Sequence, residues 1–242
     1  MTDDTAAEFD PTEAFDLTGR VAAVTGGTRG IGRAITLGLA NAGADVVPTS
    51  RTEADVEDAV AAVESRGGDS LSCPTDVTDG EAVTELTATV REELGGSDVV
   101  VSNDGVDPRG ALRCARAAAE GLTAGDGGSL VNVASVAGLV GLPRQHPYVA
   151  SKHGLVGVTR RMALDWAPDV RVNAVAPGFV LTELTAEIEG NERLEESIRD
   201  RTPLGRFADA AEVAAPAVFL ASDAASYVAS ACLAVDGDWT TR

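Results

Sequence analysis

Tyr148 and Lys152 stand four residues apart in the stretch PYVASKHG (147–154), and Lys152 is the only lysine in a chain of 242 residues. Four residues make about one helical turn, so on a helix the phenol and the ammonium share a face. Pro147 suits the start of that helix. A phenol, with a reference pKa of about 10, is mostly protonated at neutral pH, and a neighbouring ammonium stabilises its phenolate form. The pair therefore suits general acid–base chemistry, trading a proton with an alcohol or carbonyl oxygen. Arginine, which supplies the chain's other cationic surface, spreads its charge over a fork and does not replace a compact point donor. Ser135 closes the stretch GSLVNVAS (128–135), which reads as a strand, and completes a candidate catalytic set of Ser135, Tyr148 and Lys152.

A second cluster lies near the start. The run RVAAVTG (20–26) reads as a strand and leads directly into TGGTRGIG (25–32), which opens a helix. Gly26, Gly30 and Gly32 let the backbone turn tightly, approach a pyrophosphate and pack the helix on a sheet. The helix N-terminus then offers free N–H groups and a positive dipole to the phosphates. The next strand ends in PTSRTE, so Ser50 and Arg51 occupy the place where a carboxylate would bind an unmodified ribose. Arg29 adds a second guanidinium inside the glycine turn. Guanidinium forks match a 2′-phosphate, which favours NADP(H) over NAD(H). Asp76, in TDVTD, ends a third strand, where its carboxylate accepts from an adenine amino group or serves as a helix cap beside Asp79.

Both clusters need a scaffold. Strand-like runs at 20–26, 44–50, 69–76, 97–103, 128–135, 170–178 and 231–237 alternate with helical stretches at 30–43, 53–66, 79–94, 109–122, 148–167 and 209–222. Seven strands alternating with helices predict a single-domain α/β fold, a doubly wound parallel sheet flanked by helices. Ligands of such sheets bind beyond the carboxyl ends of the strands, where the winding reverses. Residues 1–15 read as a loose acidic tail, residues 16–242 as the domain, and 183–205 as a charged substrate lid. Arg144 and His146 are expected at the substrate mouth. His146 and His153 lack a third ligand, so no metal site is expected.

Composition bounds the partners. The chain has 38 acidic residues against 19 basic ones, for a net charge of −19. This excess argues against nucleic acid and against anionic membranes. With its scarcity of lysine, it fits a protein at home in molar salt, where acidic surfaces cost little. Three cysteines without metal-ligand spacing, and no basic-then-apolar leader, suggest a reduced cytoplasmic protein.

The segments TGGTRGIG, TDVTD, SNDG, VNVASVAG, YVASKHG, RVNAVAPGFVLTEL and PLGRFADAAEVAAPAVFLASDAASY follow the order and near spacing of the short-chain dehydrogenase/reductase family. From about residue 17 onward the chain resembles that family, in particular its 3-oxoacyl reductase and glucose dehydrogenase-like members. The resemblance implies a Rossmann-like fold, an NADP(H)-dependent oxidoreductase and a homo-oligomer, dimer or tetramer. It implies that Ser135 holds the substrate oxygen, Tyr148 exchanges the proton, and Lys152 assists Tyr148 and binds the nicotinamide ribose. Val180 and Thr182 would meet the carboxamide, and Asn103 would brace the central strand beside the adenosine. The cofactor-binding set is then Gly26, Arg29, Gly30, Ile31, Gly32, Ser50, Arg51, Asp76, Val77, Asn103, Tyr148, Lys152, Pro177, Gly178, Val180 and Thr182.

The sequence departs from the family in three places. Asp104 replaces a small residue, and Ala229-Ser230 and Asp236-Gly237-Asp238 replace glycine-bearing pairs. The interval 105–129 lacks the asparagine of the family's proton relay and has room for only a shortened helix. That leaves open an alternative, a nucleotide-binding relative with impaired catalysis.

Overall fold

Alternating valine-rich runs and amphipathic stretches build a six-stranded, all-parallel sheet in the computed structural model, in the order β2-β1-β3-β4-β5-β6. The strands are β1 (Val21–Thr25), β2 (Asp45–Thr49), β3 (Val99–Ser102), β4 (Gly128–Val133), β5 (Val170–Pro177) and β6 (Cys232–Val235). The helices are α1 (Pro11–Ala14), α2 (Gly30–Asn41), α3 (Glu53–Glu64), α4 (Gly80–Leu94), α5 (His146–Asp165), α6 (Glu192–Arg201) and α7 (Ala210–Ala221). The structure describes residues 10–103, 110, 113, 115, 122, 127–185 and 190–241.

Strand alternation decides the layers. Ala22, Val24, Val99, Val101, Val131 and Val133 point to one face, under Ile35 and Leu39 of α2 and Val213 and Leu220 of α7. Val100, Leu130 and Val172 point to the other, under Met162 and Ala163 of α5 and the helical residues Ala115 and Leu122. Val21 and Val47 continue that second face beneath Leu86 and Val90 of α4. β1 and β3 are buried along their whole length, as strands covered on both faces must be. Burying each leucine, isoleucine or valine of this core contributes about 1.5–3 kcal/mol. Winding runs from β1 out to β2 and then back past β1 to β3, so it reverses between β1 and β3. That is where the binding crevice of a doubly wound sheet opens.

The expected strand at 69–76 is not one. Val46 and Ser50 face this segment through backbone bonds, Val46 N–H to the Asp69 carbonyl (3.1 Å) and Thr75 N–H to the Ser50 carbonyl (2.8 Å). Pro48 lies midway between them on the same edge and has no N–H to give, so the ladder breaks at its centre. Side chains substitute, with Ser70 Oγ donating to the Val46 carbonyl at 2.7 Å. Within the stretch expected as a loose tail, Asp10 caps α1 and Phe15 packs on Phe219 with centroids 6.1 Å apart. No helix among the described residues is long and apolar enough to cross a membrane.

Candidate active site

At the carboxyl end of β1 the chain enters two left-handed glycines, Gly26 (φ 58°) and Gly30 (φ 52°). A Cβ on Gly32 would lie 1.9 Å from the Gly26 carbonyl oxygen, so only hydrogen fits where α2 crosses the turn. Asn103, at the end of β3, locks this arrangement. Its N–H donates to Thr25 Oγ1 (3.0 Å) and its Nδ2 donates to the Gly26 carbonyl (3.1 Å). Asn103 thus braces the glycine turn itself, by fixing the β1–β3 crevice from the β3 side. Arg29 stands at the N-cap of α2 without a capping side-chain bond, and the first turn carries no acid. The N–H groups of Gly30, Ile31 and Gly32 are thereby left to a phosphate.

The segment after β5 arrives over this turn. A Cβ on Gly30 would sit 3.5 Å from the Thr182 methyl. Thr185 Oγ1 fastens the segment by donating to the Val180 carbonyl (2.7 Å) and accepting from Thr182 N–H (2.9 Å). Gly178, just past Pro177, is pressed against the end of β6, where a Cβ would approach Asp236 Cα to 2.9 Å. Thr25 and Thr185 are supporting residues that sequence reasoning missed; hydroxyls beside a glycine turn and a strand end were the available signal.

Beyond β2 the adenosine end takes shape. Ser50 Oγ is buried without a hydrogen-bond partner. Arg51 and Arg29 are exposed, and neither forms an ion pair among the described residues. Asp76 accepts from Thr78 Oγ1 (2.7 Å) and Thr78 N–H (2.9 Å), and these bonds, together with the charge of Arg51, hold its carboxyl below the usual carboxylate range. Val77 follows it, half-buried. Asp79 is the N-cap of α4, so capping falls to Asp79 and not to Asp76.

The candidate catalytic residues gather at the end of β4. Ser135 starts a 3-10 turn (Val136–Gly138), its Oγ accepting from Ala137 N–H at 3.1 Å. The side chain is buried at the floor of the crevice. α5 presents Lys152, Leu155, Val156, Thr159, Met162 and Ala163 to the sheet. Lys152 is therefore on the inner face, only 5% exposed, and its Nζ donates to the Val133 carbonyl at 2.9 Å. One turn earlier, half-buried Tyr148 lies with its ring centroid 5.8 Å from that Nζ. Sequence spacing thus brings phenol and ammonium together, beside the strand that leads to Ser135. His146 and His153 are exposed, and His153 Nδ1 lies 3.0 Å from the Val149 carbonyl. No group of metal-binding side chains occurs among the described residues.

Two departures from the family pattern have a backbone signature. Ser230 (φ 63°) and Asp238 (φ 71°) stand in left-handed conformations that glycine favours. Asp104 and most of 105–129, including the place of the missing relay asparagine, lie outside the described residues. The lid is described at 183–185 and 190–205, where α6 forms most of it.

The family comparison agrees with this geometry. Residues 20–113 match the family described as short chain dehydrogenase, and residues 105–240 match the one described as Enoyl-(Acyl carrier protein) reductase. The chain belongs to the short-chain dehydrogenase/reductase family. It is 35% identical to 2-dehydro-3-deoxy-D-gluconate 5-dehydrogenase of Escherichia coli (strain K12), over 95% of this chain and 98% of that protein. It is 34% identical to a 3-oxoacyl-[acyl-carrier-protein] reductase of Pseudomonas aeruginosa, over 92% and 98%. Among solved structures, a gluconate 5-dehydrogenase from Burkholderia cenocepacia J2315 in complex with NADP and tartrate superposes with TM-score 0.92 at 29% identity, covering 96% of this chain and all of that one. The protein is accordingly an oxidoreductase of hydride-transfer type.

Proposed function

We propose that this short-chain dehydrogenase/reductase uses NADP(H) to interconvert an alcohol and its carbonyl, with Tyr148 exchanging the proton. The observation that carries the reading is the buried, tethered Lys152 beneath Tyr148, at the carboxyl edge of the sheet and beside the strand ending in Ser135. The Val133 carbonyl holds the ammonium in place beside the ring, where its charge favours the phenolate form of Tyr148.

The residues fit the dinucleotide. The glycine turn packs so closely against Gly32 that α2 begins directly beneath it, and α2 offers free N–H groups for the pyrophosphate. Orphaned Ser50 Oγ with Arg51, and Arg29 across the turn, suit a 2′-phosphate; no acid appears after β2 until Glu53. Val77 and Asp76 lie along the adenine side, and Pro177, Gly178, Val180 and Thr182 along the nicotinamide side.

When bound, the nicotinamide donates or accepts the hydride. Ser135 keeps its own hydroxyl proton to donate to the substrate oxygen. Tyr148 takes the alcohol proton in oxidation and returns it in reduction, and Lys152 provides the counter-charge for the phenolate. The relatives named for gluconate derivatives make hydroxy acids the substrate class to examine first, ahead of acyl thioesters.

The test is NADPH oxidation with a carbonyl panel, and NADP+ reduction with the matching alcohols, across a range of KCl. Wild type should turn over with NADPH better than with NADH, and Arg51→Ala should lose that preference. Tyr148→Phe should bind the nucleotide and lose turnover by a factor of about 10² or more. Undiminished turnover in Tyr148→Phe would remove Tyr148 from the mechanism.

A further inference from the structure

We propose that Arg144 is the anion-recognition residue of the substrate mouth, and that the substrate it receives carries a carboxylate. The inference rests on the hydride-transfer reading and adds a substrate group to it. It begins with a turn. Gln145 N–H reaches back to the Leu142 carbonyl (3.4 Å), Pro143 occupies the second position, and Arg144 the third with φ 62°. Proline followed by a positive φ is the type II arrangement, whose third position favours glycine or asparagine. An arginine there carries a steric cost that glycine would not. Ser230 (φ 63°) and Asp238 (φ 71°) are the other non-glycine residues described in this conformation. The Arg144 side chain is exposed and has no hydrogen bond or ion pair among the described residues. Nothing in the fold of the turn requires a guanidinium.

Position and field point the same way. The turn joins the 3-10 turn capped by Ser135 to the start of α5, placing Arg144 four residues before Tyr148. Residues 127–164 contain no Asp or Glu, although the chain has 38 acids in 242 residues and its average would place about six there. Burial does not explain this, because exposed positions 141, 145, 150, 154 and 157 are also free of acid. The same stretch holds Arg144, Lys152, Arg160, Arg161 and both histidines. The next longest acid-free stretch, 17–44, contains the glycine turn fitted to a pyrophosphate. In a chain of net charge −19, each long acid-free segment includes a carboxyl end of a strand, the glycine turn after β1 in one and Ser135 after β4 in the other. An anion arriving at the mouth meets no carboxylate from this wall. A lone planar fork matches one carboxylate by two parallel hydrogen bonds, whereas a dianionic phosphate would call for more than one cation.

The experiment compares hydroxy acids with their neutral carboxamides, D-gluconate against D-gluconamide first, in wild type, Arg144→Gly and Arg144→Lys. Glycine suits φ 62°, so the first variant keeps the turn. Turnover is read with NADP+, and binding to the enzyme–NADPH complex by calorimetry. Wild type should favour acids over amides by about tenfold or more in kcat/KM. Arg144→Gly should erase the preference through KM with kcat held, and Arg144→Lys should restore part of it. Equal use of acids and amides by wild type, a preference that survives in Arg144→Gly, or failure of every acid to bind would overturn the proposal. Tyr148-dependent turnover of neutral ketones without acid preference would overturn this proposal alone. Arg144-dependent binding of acids without any turnover would support the carboxylate site and overturn the hydride-transfer reading instead.

Discussion

Lys152 Nζ donates to the Val133 carbonyl at 2.9 Å, which fixes the buried ammonium to the strand that delivers Ser135 two residues later. Together with the Asn132 Nδ2 bond to Thr159 Oγ1 (2.9 Å), it ties α5 to β4 and so places Tyr148. If phenol and ammonium act as one unit, their losses should not multiply. Tyr148→Phe and Lys152→Met should each lower kcat by about 10²–10⁴. The double variant should be no more than a few-fold slower than the worse single one. Steady-state rates with folding verified by circular dichroism check this, and multiplicative losses would mean independent roles.

Gly32 tests the glycine turn without removing any polar group. A Cβ there would meet the Gly26 carbonyl oxygen at 1.9 Å and Asn103 Nδ2 at 2.5 Å. Backbone cannot swing aside as a flexible side chain can. Gly32→Ala should cost about 3 kcal/mol and lower the thermal midpoint by roughly 6–12 °C in a domain of this size. NADP(H) binding should be lost with the shape of the turn. Gly80→Ala is the control, because a Cβ there meets nothing within 4 Å.

These two sites were legible because their signals are local. One helical turn separates Tyr148 from Lys152, and the glycine turn follows a strand within eight residues. Ser135 also needed only a strand end. The segment 69–76 misled because its residues suit a strand, while the obstacle, Pro48, lies on the neighbouring strand β2. Asn103 could be placed near the cofactor, but its bond to Gly26 links residues 77 apart in sequence, a relation no periodicity carries. Arg144 is expected at the substrate mouth from the sequence, but its positive φ is a backbone feature that residue spacing does not carry.

Ser230 offers a stability test of the altered last strand. Its φ is 63°, its only described bond is made by the backbone N–H to the Val172 carbonyl, and glycine would make the same bond. Relief of the left-handed strain, about 1–2 kcal/mol, exceeds the extra unfolded-state freedom of glycine, about 0.4–1 kcal/mol. Ser230→Gly should therefore stabilise by up to about 1 kcal/mol, seen as a higher denaturation midpoint with unchanged slope. A lower midpoint would show that the serine hydroxyl contributes more than the strain it accompanies.

Glu212 governs part of the acid response. Arg206 grips it with two nitrogens, at 2.6 and 2.7 Å, and Asp209 N–H donates to it at 2.9 Å, closing a capping box at the start of α7. The Arg206 hydrogen bonds, followed by the Asp209 N–H, pull its carboxyl down from the usual 4.5 to about 2. A carboxyl whose folded value lies below its unfolded one stabilises the fold at higher pH. The contribution is complete above about pH 4.5 and disappears as the pH falls towards 2. Glu212→Gln should lower the thermal midpoint at neutral pH. It should also flatten the midpoint's fall between pH 4.5 and 2, so that the two proteins converge at the acid end. Because the pair is exposed, molar KCl should narrow the gap between them at neutral pH. Parallel curves across the acid range would show that Glu212 titrates alike in the folded and unfolded chain, and would remove this pair from the acid response.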